Sequence, residues 1–254
     1  YERVVAKKPG AFVVHTVGNN VMQPGRPLGR CPKNLLTLDL QAFSYWQAEG
    51  VPNIAYLQPG CDSSTYEYAP IEPNARPQVH CYIEHYQDWF PRGWAKYQTL
   101  RERLADAGWR LYGSGNPDGY LISPDTRLLP DYLKSENVGC QLDAIRRSWL
   151  TVHIKEWEGY GFNVVKSLMV GRPIVTLRDF ISDKTLQYLC VDGVSAIVED
   201  SRHIDRLAER ITRYLRNPTE LADLCESAAR HIRHVLDESF QLCKLDRFLA
   251  KLVR

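Results

Sequence analysis

Glu158 stands directly before Gly159-Tyr160-Gly161-Phe162-Asn163, so a carboxylate meets a stretch of backbone bared by two glycines. The apolar run from Val164 to Val170 then predicts a short helix, with Asn163 as its cap; the Asn163 side-chain oxygen would satisfy one orphan N–H. The first turn of such a helix points several N–H groups outward at the positive end of the macrodipole. That is a seat for an anion, most commonly a phosphate. Gly171 is expected to stop the helix, Pro173 prevents it resuming, and Ile174 to Leu177 reads as the next strand. The chemistry implied is orientation of hydroxyl groups by Glu158 beside an amide-lined phosphate seat. Glu156, two residues earlier, reads as a solvated loop residue.

Taken in order, Glu-Gly-Tyr-Gly-Phe-Asn (158–163), the helix, Gly-Arg-Pro-Ile-Val (171–175) and Val-Asp-Gly-Val-Ser-Ala-Ile-Val (191–198) resemble the nucleotide-sugar-binding half of the retaining GT-B glycosyltransferases. The run is similar to that of the large family containing the sucrose and mannosyl transferases, over roughly residues 50 to 235. This resemblance implies transfer of a sugar, with retention, from a nucleotide-diphosphate donor to an acceptor hydroxyl. Glu158 would accept hydrogen bonds from the donor sugar, and Gly161, Phe162 and Asn163 would offer backbone N–H groups to sugar or diphosphate. Arg92, before Gly93, is similar to the lysine of a lysine-glycine pair whose cation meets the diphosphate. Gly113 and Gly115 would let the chain pass close to nucleobase or diphosphate; a simple turn is the alternative.

One position departs. Where the family has a second glutamate, eight positions after the first, this chain has Lys166. A lysine donates but cannot accept, whereas ribose hydroxyls do both. Lys166 is therefore either a charged residue on a diverged scaffold or a cation near ribose or phosphate. His15 would reach the donor sugar across the cleft; the alternative is an ordinary histidine at a strand end. No Asp-x-Asp occurs in the chain, so the resemblance implies metal-independent transfer with no cofactor beyond the donor as co-substrate. His231 and His234 lie on one helix without an evident third ligand, so no metal site is expected.

The 254 residues carry a net charge of +2, with 44% hydrophobic and 24% charged residues, which suits an ordinary soluble globular chain. No apolar run reaches the ~20 residues that cross a bilayer. Seven scattered cysteines, none in a Cys-x-x-Cys pair, argue for reduced thiols and a cytoplasmic location.

The elements alternate strand and helix, which implies a parallel sheet with helices on both faces. The fold class expected is α/β: a GT-B-like, Rossmann-like nucleotide-sugar-binding domain plus a partial or reduced N-terminal α/β lobe. Three parts are expected: residues 1–72 as the acceptor-side lobe, 73–239 as the nucleotide-sugar-binding lobe, and 240–254 as a final helix packing back on the first lobe. The first lobe is about half the length such a lobe needs, so its first half is expected to be missing from the chain. Residues 11–14 predict a strand ending just before His15. Residues 94–107 predict a helix, 109–112 a strand with its turn at Gly113, 128–133 and 142–147 short helices, and Thr219 the cap of a late helix. Besides an active transferase, two readings stay open: a nucleotide-sugar-binding or scaffold protein that does not transfer, and a transferase acting on modified DNA bases. The acceptor is carbohydrate, lipid, small molecule, protein or modified DNA.

Overall fold

The computed structural model describes residues 15–17, 33–72, 78–82, 90–114, 132–133 and 138–252. Among them, β1 (His15–Val17), β2 (Asn34–Thr37) and β3 (Asn53–Tyr56) form a three-stranded parallel sheet in that order. Helix α1 (Leu40–Ala48) connects β2 to β3 and starts at Asp39, whose Oδ2 accepts the Ala42 N–H at 3.2 Å. Leu35, Trp46 and Val51 make the small core of this lobe.

The second sheet contains β4 (Val79–Tyr82), β5 (Leu111–Ser114), β6 (Tyr132–Leu133), β7 (Leu150–Val152), β8 (Ile174–Leu177) and β9 (Ala196–Glu199). They run parallel in the order β6-β5-β4-β7-β8-β9. The helices are α2 (Pro91–Asp106), α3 (Val138–Arg147), α4 (Phe162–Val170), α5 (Arg178–Ile181), α6 (Leu186–Leu189), α7 (Ile204–Arg216), α8 (Pro218–Val235) and α9 (Glu238–Leu252). Alternate strand residues enter opposite cores. Val175 and Ile197 join α2 and α7, while Ile174, Ala196 and Val198 join α3, α4 and α8. Both faces are thus covered, as the strand–helix alternation implies. Burying Val164, Val165, Leu168, Met169 and Val170 holds α4 down, at ~1.5–3 kcal/mol for each large side chain.

Several boundaries differ from the sequence expectations. His15 is the first described residue of β1, and the strand expected at 11–14 lies outside the described residues. Tyr132–Leu133 is an edge strand on β5, where ladder bonding overrides the helical pattern. Gly113 lies inside β5, buried and opposite Cys81, not in the turn. Helix α2 starts at Pro91, since the fixed φ of proline suits a first helical position. Helix α8 is capped by Asn217, not Thr219; its Oδ1 accepts the Glu220 N–H at 3.3 Å.

Helix α9 and Arg172 are among the devices that tie the lobes together. Helix α9 packs on β3: Gln241 Oε1 accepts the Gln58 N–H at 3.0 Å, and the Lys244 ammonium lies 5.6 Å from the Tyr56 ring centroid. Arg172 is 1% exposed, and its guanidinium donates to the carbonyls of Ala69 (2.6 Å) and Arg146 (2.7 Å), and more weakly to Val170 and Gly171 (both 3.3 Å).

Candidate functional site

Strand order reverses between β4 and β7, and in such sheets ligands bind beyond the carboxyl ends of the strands at that point. Two segments leave the sheet there. One leads from β4 to the start of α2 at Pro91; the other runs from β7 through His153, Lys155, Glu156 and Glu158 to the start of α4.

The β7 segment is unusual in being charged and buried at once. His153, Lys155 and Glu156 are each under 8% exposed, as is Lys184 from the segment after α5. Glu158 Oε2 lies 3.2 Å from Lys155 Nζ and 3.4 Å from His153 Nε2, and 14% of its side chain stays exposed. Burial by itself raises the Glu158 pKa. Lys155, His153 and Lys184 together outweigh it and hold the carboxyl below the usual carboxylate range. Burial pushes the His153 pKa down to about 4, so its imidazole is neutral at pH 7. Lys184 is also pushed down by burial; its ammonium donates to the Glu156 carbonyl and to the Phe180 carbonyl at 2.6 Å.

Glu156 is not a solvated loop residue. Its Oε1 accepts the Arg92 N–H at 3.0 Å and its Oε2 accepts the Gly93 N–H at 2.8 Å. One carboxylate therefore fills the start of α2. Gly93 must be glycine for this approach, because a Cβ there would run into the Ile154 carbonyl and lie 2.8 Å from Glu156 Oε2. Arg92 points its side chain elsewhere. Its guanidinium is 63% exposed, 3.5 Å from Asp179 Oδ2 and 5.1 Å from the Phe180 ring centroid.

The start of α4 is built differently. The helix begins at Phe162 and not at Val164. Gly161 is its cap residue, in the left-handed region at φ 70°, where glycine carries no Cβ penalty. No side chain caps it, so Asn163 is the second helical residue and not the cap. Phe162 is 41% exposed and Asn163 half-buried, so this helix end opens outward. At the other end Gly171 takes φ 83°, with its N–H and that of Arg172 on Leu168 and Ser167.

The first lobe closes over the same turn. A Cβ at Gly159 would collide with the Asp39 carboxylate, and Tyr160 donates its hydroxyl to the Pro59 carbonyl. Asp39 Oδ1 accepts the Thr185 N–H at 3.3 Å, and the Thr185 hydroxyl lies 2.9 Å from the Tyr56 hydroxyl.

Of the residues singled out in the sequence, Glu158, Gly161, Phe162 and Asn163 lie on the chain from β7 into the first turn of α4, and Arg92 lies in the first turn of α2. Lys166 sits a turn further along α4, with its ammonium 5.9 Å from the Tyr66 ring centroid. Gly113 is held in the β4–β5 ladder. Gly115 and the His15 side chain lie outside the described parts. Sequence reasoning missed His153, Lys155, Lys184 and the role of Glu156. The signal was present: the charges of His-Ile-Lys-Glu-Trp-Glu follow an apolar strand directly, at the sheet end where ligands bind.

No protein-family model matches the chain, and no curated protein matches it by sequence. Solved structures do match it in shape. Sucrose-phosphate synthase from Thermosynechococcus elongatus superposes with a TM-score of 0.64 at 12% identity, over 86% of this chain and 58% of that one. A variant of TarM from S. aureus, solved with UDP among its bound molecules, gives 0.68 at 13% identity, over 92% and 50%. HepE from Anabaena, in complex with UDP and glucose, gives 0.69 at 13% identity, over 93% and 71%. The chain thus spans between half and seven-tenths of the length of these structures. With its reversed six-stranded parallel sheet, its smaller first sheet and its last helix returning to β3, the chain has the fold of the GT-B glycosyltransferases.

Proposed function

We propose that the chain is a metal-independent glycosyltransferase that moves a sugar from a nucleotide-diphosphate donor to an acceptor hydroxyl with retention. The observation that carries this reading is the pairing of an ionised, partly open Glu158 with the outward-facing start of α4 at the switch point of the sheet. TarM and HepE were solved with UDP, so UDP-sugars are the first donors to try.

In this reading Glu158 accepts hydrogen bonds from donor-sugar hydroxyls, each contributing ~1.5–3 kcal/mol to a charged partner. The bond between the sugar C1 and the diphosphate oxygen breaks, and the diphosphate keeps the electron pair. Charge grows on that oxygen as the bond breaks, and fixed donors there stabilise the transition state. The start of α4 and the Arg92 guanidinium are those donors. The acceptor oxygen attacks C1 from the face the diphosphate leaves, and its proton passes to the departing diphosphate. His153, neutral and buried behind Glu158, leaves the carboxylate charged without competing as a cation.

The test is a mass-spectrometric screen of nucleotide sugars for release of the nucleoside diphosphate, with wild type beside Glu158→Gln. Release by wild type that falls at least tenfold in the variant supports the reading. Unchanged release in Glu158→Gln removes its basis.

A binding protein without transfer is the second reading, and Lys166 favours it. Its ammonium faces Tyr66, so no carboxylate stands at that point of α4. Calorimetric binding of a nucleotide sugar without any turnover would select this reading.

A further inference from the structure

We propose that Glu156 is an internal counter-anion that fills the start of α2, so that Arg92 meets a donor diphosphate through its guanidinium and not through the N–H groups of its helix. This rests on the reading of the site as one for a nucleotide-diphosphate donor. Two helices begin beside the switch point, and by charge either could hold a phosphate. At α2 the place is taken. The Glu156 carboxylate, 4% exposed, receives both the Arg92 and the Gly93 N–H, at 3.0 and 2.8 Å. The contact is built in from several sides. Gly93 has no room for a side chain against the Ile154 carbonyl, and Lys184 holds the Glu156 carbonyl in place.

A second anion at that helix start would meet the carboxylate at close range in a buried setting, where like charges repel strongly. What α2 presents to solvent is the Arg92 side chain, 63% exposed, 3.5 Å from Asp179 Oδ2 and 5.1 Å from the Phe180 ring centroid. Glu156 is thus a positioning residue. It pins the backbone of Arg92 so that the guanidinium projects from a fixed root. It also leaves α4 as the one helix start of the two that is open to a ligand.

The experiment follows the assigned amide and guanidinium signals of the 15N-labelled protein while inorganic pyrophosphate is added. In wild type the Arg92 Nε–H signal should move and the Gly93 amide should not. In Glu156→Ala both should move. Glu156→Gln, which keeps the side-chain shape, serves the same comparison should the alanine variant fold poorly. A wild-type Gly93 amide that titrates with pyrophosphate as it does in the variant overturns the proposal.

A second measurement uses UDP-glucose turnover. Glu156→Ala should raise donor KM by about tenfold with kcat changed far less, and formate, which can refill the seat, should lower KM again. In an Arg92→Ala background the same change should add nothing. A full further rise in KM there, with no response to formate, refutes the positioning role. Absence of any turnover by wild type defeats the transferase reading, and the amide titration then decides the fate of the counter-anion by itself.

Discussion

The starts of α2 and α4 lie at the same sheet end, on opposite faces of the sheet, yet one is filled by a carboxylate and the other has no side-chain cap. At α2 a carboxylate from a segment more than sixty residues further along the chain takes both N–H groups. At α4 a left-handed glycine opens the helix with no side chain on it, and the first helical residue is exposed. Glu156 and Glu158, two residues apart, divide along the same line. A turn at Glu156–Trp157 breaks the strand alternation that would put both carboxylates on one side, so Glu156 faces α2 while Glu158 meets Lys155. One carboxylate is consumed by the fold and the other is held ionised by its neighbours, and it is the second that the proposed function assigns to a ligand.

The contrast can be broken most severely at Lys155. Lys155→Met leaves Glu158 beside a neutral histidine in a nearly closed site, and removing one partner of a buried pair costs about 3–5 kcal/mol. Urea unfolding should show a loss of that size, and a loss under 1 kcal/mol would mean that Glu158 is better hydrated than its surroundings indicate. Next comes Gly93→Ala, which forces α2 away from Ile154 and Glu156. Overpacking of this kind costs about 1–3 kcal/mol, and here it should be accompanied by slower turnover.

Acid should act on the same region. His153 and His80 are both pushed down to about 4 by burial, so the unfolded chain binds more protons than the folded one between pH 6.5 and 4. Stability should fall across that window as pH drops, by up to about 1.4 kcal/mol per pH unit for each histidine. The lowered carboxyl of Glu158 works in the same direction at lower pH, since its contribution is lost as pH falls through its folded pKa. A flat stability curve from pH 7 to 4 would contradict the burial of both imidazoles. The smallest effect is expected at the open helix. Phe162→Ala should change stability by less than about 0.5 kcal/mol, because the side chain is exposed, while altering donor KM. A large stability loss there would make α4's start part of the core after all.

The architecture was legible in the sequence where local signals agree. Gly171 and Pro173 mark the end of α4, and the apolar runs of β7, β8 and β9 mark a sheet covered on both faces. Local signals failed at Tyr132–Leu133, where two residues gain strand character only from their neighbour β5. They failed at Asn163, because a glycine can take the left-handed cap position that a polar side chain usually serves. The strand-to-helix turn after Glu158 was legible from its two glycines. Glu156 was misread because its partners lie 63 and 64 positions away, and a sequence pattern carries no trace of a contact at that range. Lys184 was missed for the same reason; it meets Glu156 across a gap of 28 residues.

Arg172 has a consequence for how two lobes of this kind can move. Its guanidinium fastens the chain at Ala69, just past the first lobe, to the end of α3 at Arg146 and to the corner that closes α4. Because Arg146 also holds the Thr65 carbonyl and Tyr66 is buried against α3 and α4, the crossing segment is fixed to the larger body from residue 65 onward, so any hinge for opening must fall before it, around residues 60 to 64. Rotation there would carry Asp39 and Pro59 off Gly159 and Tyr160 as a unit, freeing the glycine turn beside Glu158 in a single swing.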